Sequence, residues 1–223
     1  MDIVKRTRLP RTTVIRFVET LQDEGYILKD PTSATFEPAP RAIRLSQGLN
    51  LDAWLVTVST PKLKRLLQTI GWPSDVMVLQ GDRMALRNSN RAYSPVDINR
   101  HYAGMSSPLV TSASGRAYLA WCPAPERAKL INMTTKYADR TSLAQELEQT
   151  RARGYGVRSS SIEPRRIGAM AVPVLVPDFV LCCITCVFIP DAISLRQAVS
   201  RALTPMQELA TEIATEYART FCR

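Results

Sequence analysis

The side chains best suited to acid–base or nucleophilic chemistry are few: one histidine, His101, and five cysteines, Cys122, Cys182, Cys183, Cys186 and Cys222. A His–Cys dyad needs a third, orienting group, and the sequence has no HExxH, no Gly-rich phosphate loop and no nucleophile elbow. Cys183 and Cys186 have CxxC spacing but lie in the apolar run Val180 to Ile189. In a strand, alternation sends Cys182, Ile184 and Cys186 to one face and Cys183, Thr185 and Val187 to the other, so Cys183 and Cys186 do not converge on one ion. Small buried thiols are the expectation. No catalytic residue, metal site or cofactor is expected.

A different chemistry is written into Arg11 to Asp30, RTTVIRFVETLQDEGYILKD. Val14, Phe17, Val18 and Leu21 make an apolar stripe at helical spacing. Gly25 stops the helix, and Tyr-Ile-Leu opens a strand. Arg11, Thr12, Thr13 and Arg16 crowd the start of that helix, a composition suited to phosphate oxygens and base edges in a major groove. Lys5, Arg6 and Arg8 precede it, with Asp2 the sole acid between Met1 and Arg16. Upstream, a short helix is expected to end near Arg8 or Leu9, with Leu9-Pro10 making the turn. Downstream, Tyr26 to Lys29 and Ala34 to Glu37 are predicted to pair about an Asp30-Pro31-Thr32-Ser33 turn. This is a wing whose tip can meet a phosphate through Lys29, Thr32 or Ser33. Two helices, a tight turn and a ribbon are the second part of a winged helix-turn-helix. Met1 falls almost at the start of its second helix, so the unit is expected to lack its first.

The elements behind these residues follow from composition and pattern. The 223 residues allow one large domain or two small ones; 45% are hydrophobic and 22% charged, which excludes wholesale disorder. A net charge of +9 favours a polyanionic partner. An odd cysteine count does not suit a disulfide framework. The longest apolar run is too short for a membrane span, and no leader is evident, so a cytoplasmic, reducing setting and no membrane partner are expected. Pro38 and Pro40 mark a boundary. The expected organisation is residues 1–38 as the DNA-binding unit, 39–49 as a connector with a short helix over Arg41 to Gln47, and 50–223 as a second domain.

In that domain, Asn50 to Ile70 reads as a helix, kinked or restarted at Pro61. Ser74 to Leu79 and Met84 to Asn90 form a hairpin about Gln80 to Arg83. Ser89 to Pro108 is polar and irregular. Helices are predicted over Thr111 to Trp121, Pro125 to Met133, Leu143 to Arg153 and Ser200 to Phe221. Strands are predicted over Tyr155 to Ile162, Gly168 to Val176 and Val180 to Phe188. The fold class is α+β, a five- or six-stranded antiparallel sheet with helices on its faces. A pocket for a small organic acid is expected among Met77, Leu79, Leu86, Met170, Val172 and Val187, with hydrogen bonds from Asn88, Thr111, Ser112 and Ser114. Arg87, Arg116 or His101 can meet its carboxylate.

Leu9 to Asp30, Pro108 to Ala120, Arg151 to Val157 and Ile167 to Val174 follow one another along most of the chain, and together they resemble the IclR-type bacterial transcriptional regulators. Leu9, Pro10, Thr13, Arg16, Leu21, Gly25 and Tyr26 match the family pattern. Pro108 to Ala120 is similar to its segment around Thr-Ala-x-Gly-Lys-Ala, with Arg116 in place of the lysine. Arg151 to Val157 (RARGYGV) and Ile167 to Val174 (IGAMAVPV) follow in order. The resemblance implies an N-terminal winged helix-turn-helix and a GAF-like effector-binding domain. It further implies homodimers or dimers of dimers on double-stranded palindromic operator DNA, and control by small organic, often aromatic, acids. It places Arg11, Thr12, Thr13 and Arg16 at the start of the recognition helix and Thr111 to Gly115 beside the effector pocket. The alternative is a ligand-sensing chain that does not bind DNA by itself.

Overall fold

In a computed structural model, residues 2–33, 35–46, 50–96, 104–134, 140–159 and 167–222 are described. The chain forms two compact units, Met1–Leu51 and Asp52–Arg223.

In the first unit, α1 (Asp2–Thr7) and α2 (Arg11–Asp23) are joined by a three-residue turn. Arg8 adopts φ +57° there, and its amide donates to the Val4 carbonyl at 3.0 Å. Pro10, with φ −55°, occupies the N-cap position, and its carbonyl accepts from the Val14 amide. The end of α2 is a Schellman turn. Gly25 has φ +69°, its amide donates to Gln22, and the Tyr26 amide reaches back to Leu21 at 2.8 Å. β1 (Ile27–Lys29) and β2 (Phe36–Pro38) then pair antiparallel as a wing. The Asp30 carboxylate closes its turn, accepting from the Thr32 amide and hydroxyl, each at 2.7 Å, and from the Ser33 hydroxyl at 2.9 Å. These bonds favour the charged form and hold Asp30 below the ordinary carboxylate value. Where the sequence predicts a connecting helix, a 3-10 helix spans Pro40–Ser46. The predicted stripe on α2 is only partly covered: Val14 is buried, whereas Phe17 is 60% exposed.

The second unit opens on α3 (Leu51–Ile70), which runs unbroken through Pro61. Pro61 and Thr57 lie on the exposed side, so the Thr57 carbonyl that loses its i+4 amide faces water and no kink or restart is needed. Then come β3 (Ser74–Gln80), β4 (Arg83–Ser89), β5 (Ser106–Pro108), α4 (Ala113–Trp121), α5 (Ala124–Thr134), α6 (Arg140–Arg153), β6 (Gly156–Val157), β7 (Gly168–Val176), β8 (Phe179–Phe188) and α7 (Leu195–Phe221). The strands make one antiparallel sheet in the order β5-β4-β3-β8-β7-β6. Of the strand predicted over Tyr155 to Ile162, β6 is what forms among the described residues; 160–162 lie outside them.

Helices cover both sheet faces. α4 lies over β7 and β8 with α6 beyond it. Its small residues Ala113, Ala117 and Ala120 meet Met77, Ala169, Ala171 and Cys183 in one apolar cluster. α7 packs on the other side of β7, burying Ala202, Met206, Leu209 and Ile213. α3 is tied to α7 by ion pairs Lys62–Glu216 (2.5 Å) and Arg65–Glu212 (2.6 Å) and by edge-to-face contacts of Trp54 with Tyr217 and Phe221. No helix among the described residues is long and apolar enough to cross a membrane.

Candidate effector pocket and DNA-contact face

On the first unit, Lys5, Arg6, Arg8, Arg11, Thr12, Arg16 and Lys29 are exposed and Thr13 is half-buried. α1 brings Lys5 and Arg6 into its last turn, and α2 carries no acid in its first. The unpaired amides of that first turn and the cations around it favour an anion. Arg41, by contrast, is engaged within the unit. It donates to the Glu24 carbonyl at 2.8 Å, pairs with the Glu24 carboxylate at 3.0 Å and lies over the Tyr26 ring. It therefore fixes the end of α2 to the segment that follows the wing.

In the second unit, a cavity of about 270 Å³ opens at the start of α4, between that helix and the sheet. Ser112 caps α4, its hydroxyl accepting from the Gly115 amide at 3.0 Å. Taking up the cap position, Ser112 moves the first helical residue from the predicted Thr111 to Ala113. Ala113 and Ser114, whose amides have no partner inside the helix, line the cavity with Ser112, Ser106 and Ser107. The sheet contributes Asp75, Met77, Ala169, Thr185 and Val187, and Arg91, Arg158, Met105 and Ile167 complete most of the wall. Asp75 and Arg91 form a buried ion pair, with the Arg91 guanidinium donating to both carboxylate oxygens and the closest contact at 2.6 Å. The Ser89 hydroxyl adds a third donor to Asp75 at 2.8 Å. Thr185 is buried, and its Oγ1 has no hydrogen-bond partner among the described residues.

The predicted effector residues separate by position. Met77, Ser112, Ser114 and Val187 line this cavity. Leu79 and Leu86 pack against the apolar cluster under α4. Asn88 points to α3, donating to the Val56 carbonyl and to the Ser59 and Thr60 hydroxyls. Arg87 pairs with Asp52 at 2.8 Å. Thr111 and Arg116 line a separate, polar depression against α6. There the Arg116 guanidinium donates to the carbonyls of Val110 and Val157 and pairs with Glu146 at 3.4 Å. Burial lowers the pKa of Arg116, opposed by Glu146. Met170 and Val172 take the sheet face opposite Ala169 and Ala171, and Val172 meets α7 residues across a groove. His101 lies outside the described residues.

Asp75, Arg91, Arg158 and Thr185 were not anticipated. For Asp75 and Thr185 the signal is the period of two: stepping back from Met77 gives Asp75, and from Val187 gives Thr185; Arg91, in the 3-10 turn after β4, and Arg158, after β6, carry no such signal. The cysteines offer no reactive thiolate in the core. Cys122, Cys182, Cys183 and Cys186 are buried and unpaired, and burial raises each thiol, Cys186 to about 12. The described residues contain no cluster of potential metal ligands.

Comparison with known proteins gives this geometry a context. Residues 51–215 match the family described as bacterial transcriptional regulator IclR C-terminal. The chain is similar to the probable transcriptional regulator SauR of Cupriavidus necator, 25% identical over 99% of the chain and 88% of that protein. It is also similar to the HTH-type transcriptional regulator BhcR of Paracoccus denitrificans, 25% identical over 73% of the chain and 61% of that protein. Among solved structures, a transcriptional regulator of Rhodococcus sp. RHA1 shares the fold with TM-score 0.65 and 22% identity, over 98% of this chain and 89% of that one. An IclR homologue from Microbacterium hydrocarbonoxydans, solved with 4-hydroxybenzoate, has TM-score 0.61 and 20% identity over 96% and 88%.

Proposed function

Because the chain belongs to the IclR family of bacterial transcriptional regulators, we propose that it binds double-stranded operator DNA under the control of a small organic acid held at the start of α4. The observation that carries this is the polar-and-apolar cavity inside the segment that matches the family's C-terminal domain. Residues 1–38 serve as the winged DNA-binding unit, 39–49 as the connector and 50–223 as the effector domain. Two copies, as a homodimer or a dimer of dimers, place their α2 helices in successive major grooves. Lys5, Arg6, Arg8 and Lys29 neutralise phosphates, Thr12, Thr13 and Arg16 lie toward the bases, and Arg11 stands at the start of the recognition helix. The acid acts by binding one arrangement of the two heads more tightly than the other.

An aromatic acid fits best. The homologue solved with 4-hydroxybenzoate supports that class. The stretches Trp72-Pro73-Ser74-Asp75 and Ala120-Trp121-Cys122-Pro123 also resemble the activator of hydroxyphenylpropionate catabolism. The comparisons bring out no particular match to that activator, so these stretches support the aromatic class and not that one acid. A second reading, a ligand sensor that does not hold DNA by itself, is favoured by the exposure of Phe17 on α2.

Fluorescence anisotropy with the chain's own upstream DNA across a salt series separates the two. A groove-reading head gives specific binding with a steep fall of log K against log salt, and addition of the effector shifts it. Arg16→Ala then costs about 1–3 kcal/mol at one operator position and relaxes specificity there. An equal loss on all sequences makes Arg16 a phosphate contact, and absence of specific binding favours the sensor.

A further inference from the structure

The α4 cavity is polar in two distinct ways. At the helix N-terminus it offers donors, the Ala113 and Ser114 amides and the serine hydroxyls, which suit a carboxylate. On the sheet it offers an acceptor and a hydroxyl. Asp75 and Thr185 are register partners on β3 and β8, so their side chains share a face. Thr185 is 7% exposed with an unpartnered Oγ1, and Asp75 is 2% exposed and already neutralised by Arg91. Apolar Met77, Ala169 and Val187 line the same face.

We infer that the acid held here carries a hydroxyl group besides its single carboxylate, and that Thr185 with Asp75 recognises that hydroxyl. The inference rests on the effector reading of the cavity. A second carboxylate beside Asp75 is repelled, and an ammonium there meets the Arg91 guanidinium. A hydroxyl is neutral, and it can donate to the Asp75 carboxylate while accepting from Thr185. It thereby gives a partner to a buried hydroxyl that has none in the protein, as buried polar groups generally require. A volume of about 270 Å³ is at the lower end for ligand pockets and suits one ring or a short chain. A site built to hydrogen-bond a ligand hydroxyl rejects the analogue that lacks it far more strongly than an apolar pocket does.

Titration calorimetry on the full chain with two matched pairs tests this: 4-hydroxybenzoate against benzoate, and mandelate against phenylacetate. In at least one pair the hydroxylated acid should bind about tenfold or more tighter. Thr185→Val should bring that ratio to within about threefold by weakening the hydroxylated acid alone, and Thr185→Ser should restore it. Equal affinities within both pairs, or a preference that survives Thr185→Val, would overturn the inference while leaving the cavity as an acid site. Failure of the effector reading looks different: no acid binds, or binding persists in Ala169→Trp, which fills the cavity, and either result overturns both.

Discussion

Arg8 shows how a single residue can reveal a competing demand. Its φ of +57° puts it in the left-handed region, where glycine sits freely and any other residue is strained. Replacing it with glycine should stabilise the α1–α2 turn by about 0.5–1 kcal/mol in urea unfolding. If the guanidinium meets a phosphate, the same Arg8→Gly variant should bind DNA more weakly with a salt slope shallower by about 1; an unchanged slope removes Arg8 from the contact face. The basic residues of this unit were legible because exposure follows directly from helical phase. The cavity residues were legible only in part. β8 is buried along nearly its whole length and β7 along much of it, so apolar side chains on both faces leave no polar phase to read. Met170 and Val172 lie on the face away from the α4 cavity, while Met77 and Val187 line it. Arg116 also lies away from the cavity: its partners Val157 and Glu146 come from elements 30 to 41 residues away, which local pattern does not register.

At the scale of elements, α4 is held between backbone surfaces that tolerate no side chain. A Cβ on Gly115 would overlap the Leu109 carbonyl, and one on Gly156 would overlap the Ala113 carbonyl and crowd the Ala117 amide. The first fixes the helix against the segment after β5, the second against β6, and together they set the height of the α4 N-terminus over the sheet. Gly156→Ala should destabilise the second unit by about 1–3 kcal/mol in chemical denaturation and weaken acid binding as well, because the first-turn amides move. Retained affinity in a destabilised variant would mean that those amides do not contact the acid. Two helix starts carry caps that the sequence reading did not use: Ser112 sets the first residue of α4 at Ala113 and not Thr111, and the Ser194–Gln197 capping box starts α7 at Leu195 and not Ser200. β5 was missed because Ser106, Ser107 and Pro108 carry no apolar alternation, and only pairing with Arg83–Ala85 on the hairpin makes them a strand.

The whole molecule is lopsided in both charge and core. Residues 52–223 carry 21 Lys and Arg against 14 Asp and Glu, so most of the +9 lies outside the first unit. Overall charge therefore points less directly to the proposed DNA face than the local cluster at Lys5 to Arg16 does. Among the described residues of the first unit, Val14 and Ala39 are the buried apolar side chains, whereas the second unit has a continuous core on both sides of its sheet. So small a core gives little cooperative stability. In hydrogen exchange on the full chain, amides of α1 and α2 should therefore exchange well before those of β7, β8 and α7. Matching protection in both units would contradict this. Five of the six strands were placed from the sequence: β3, β4, β7 and β8 have enough apolar residues to announce themselves, and β6 is the described part of the run predicted over Tyr155 to Ile162. The two-sided sheet has a further consequence for how such a sensor can change. Asp75, Met77, Ala169, Thr185 and Val187 line the α4 cavity, while the residues between them face other neighbours on the far side of the same strands. Odd and even positions are thus nearly separate alphabets, one spelling the cavity wall, and with it the proposed ligand preference, and the other the scaffold. Specificity can drift by single steps through the odd set, and a biosensor for a new acid is best sought by randomising that set alone.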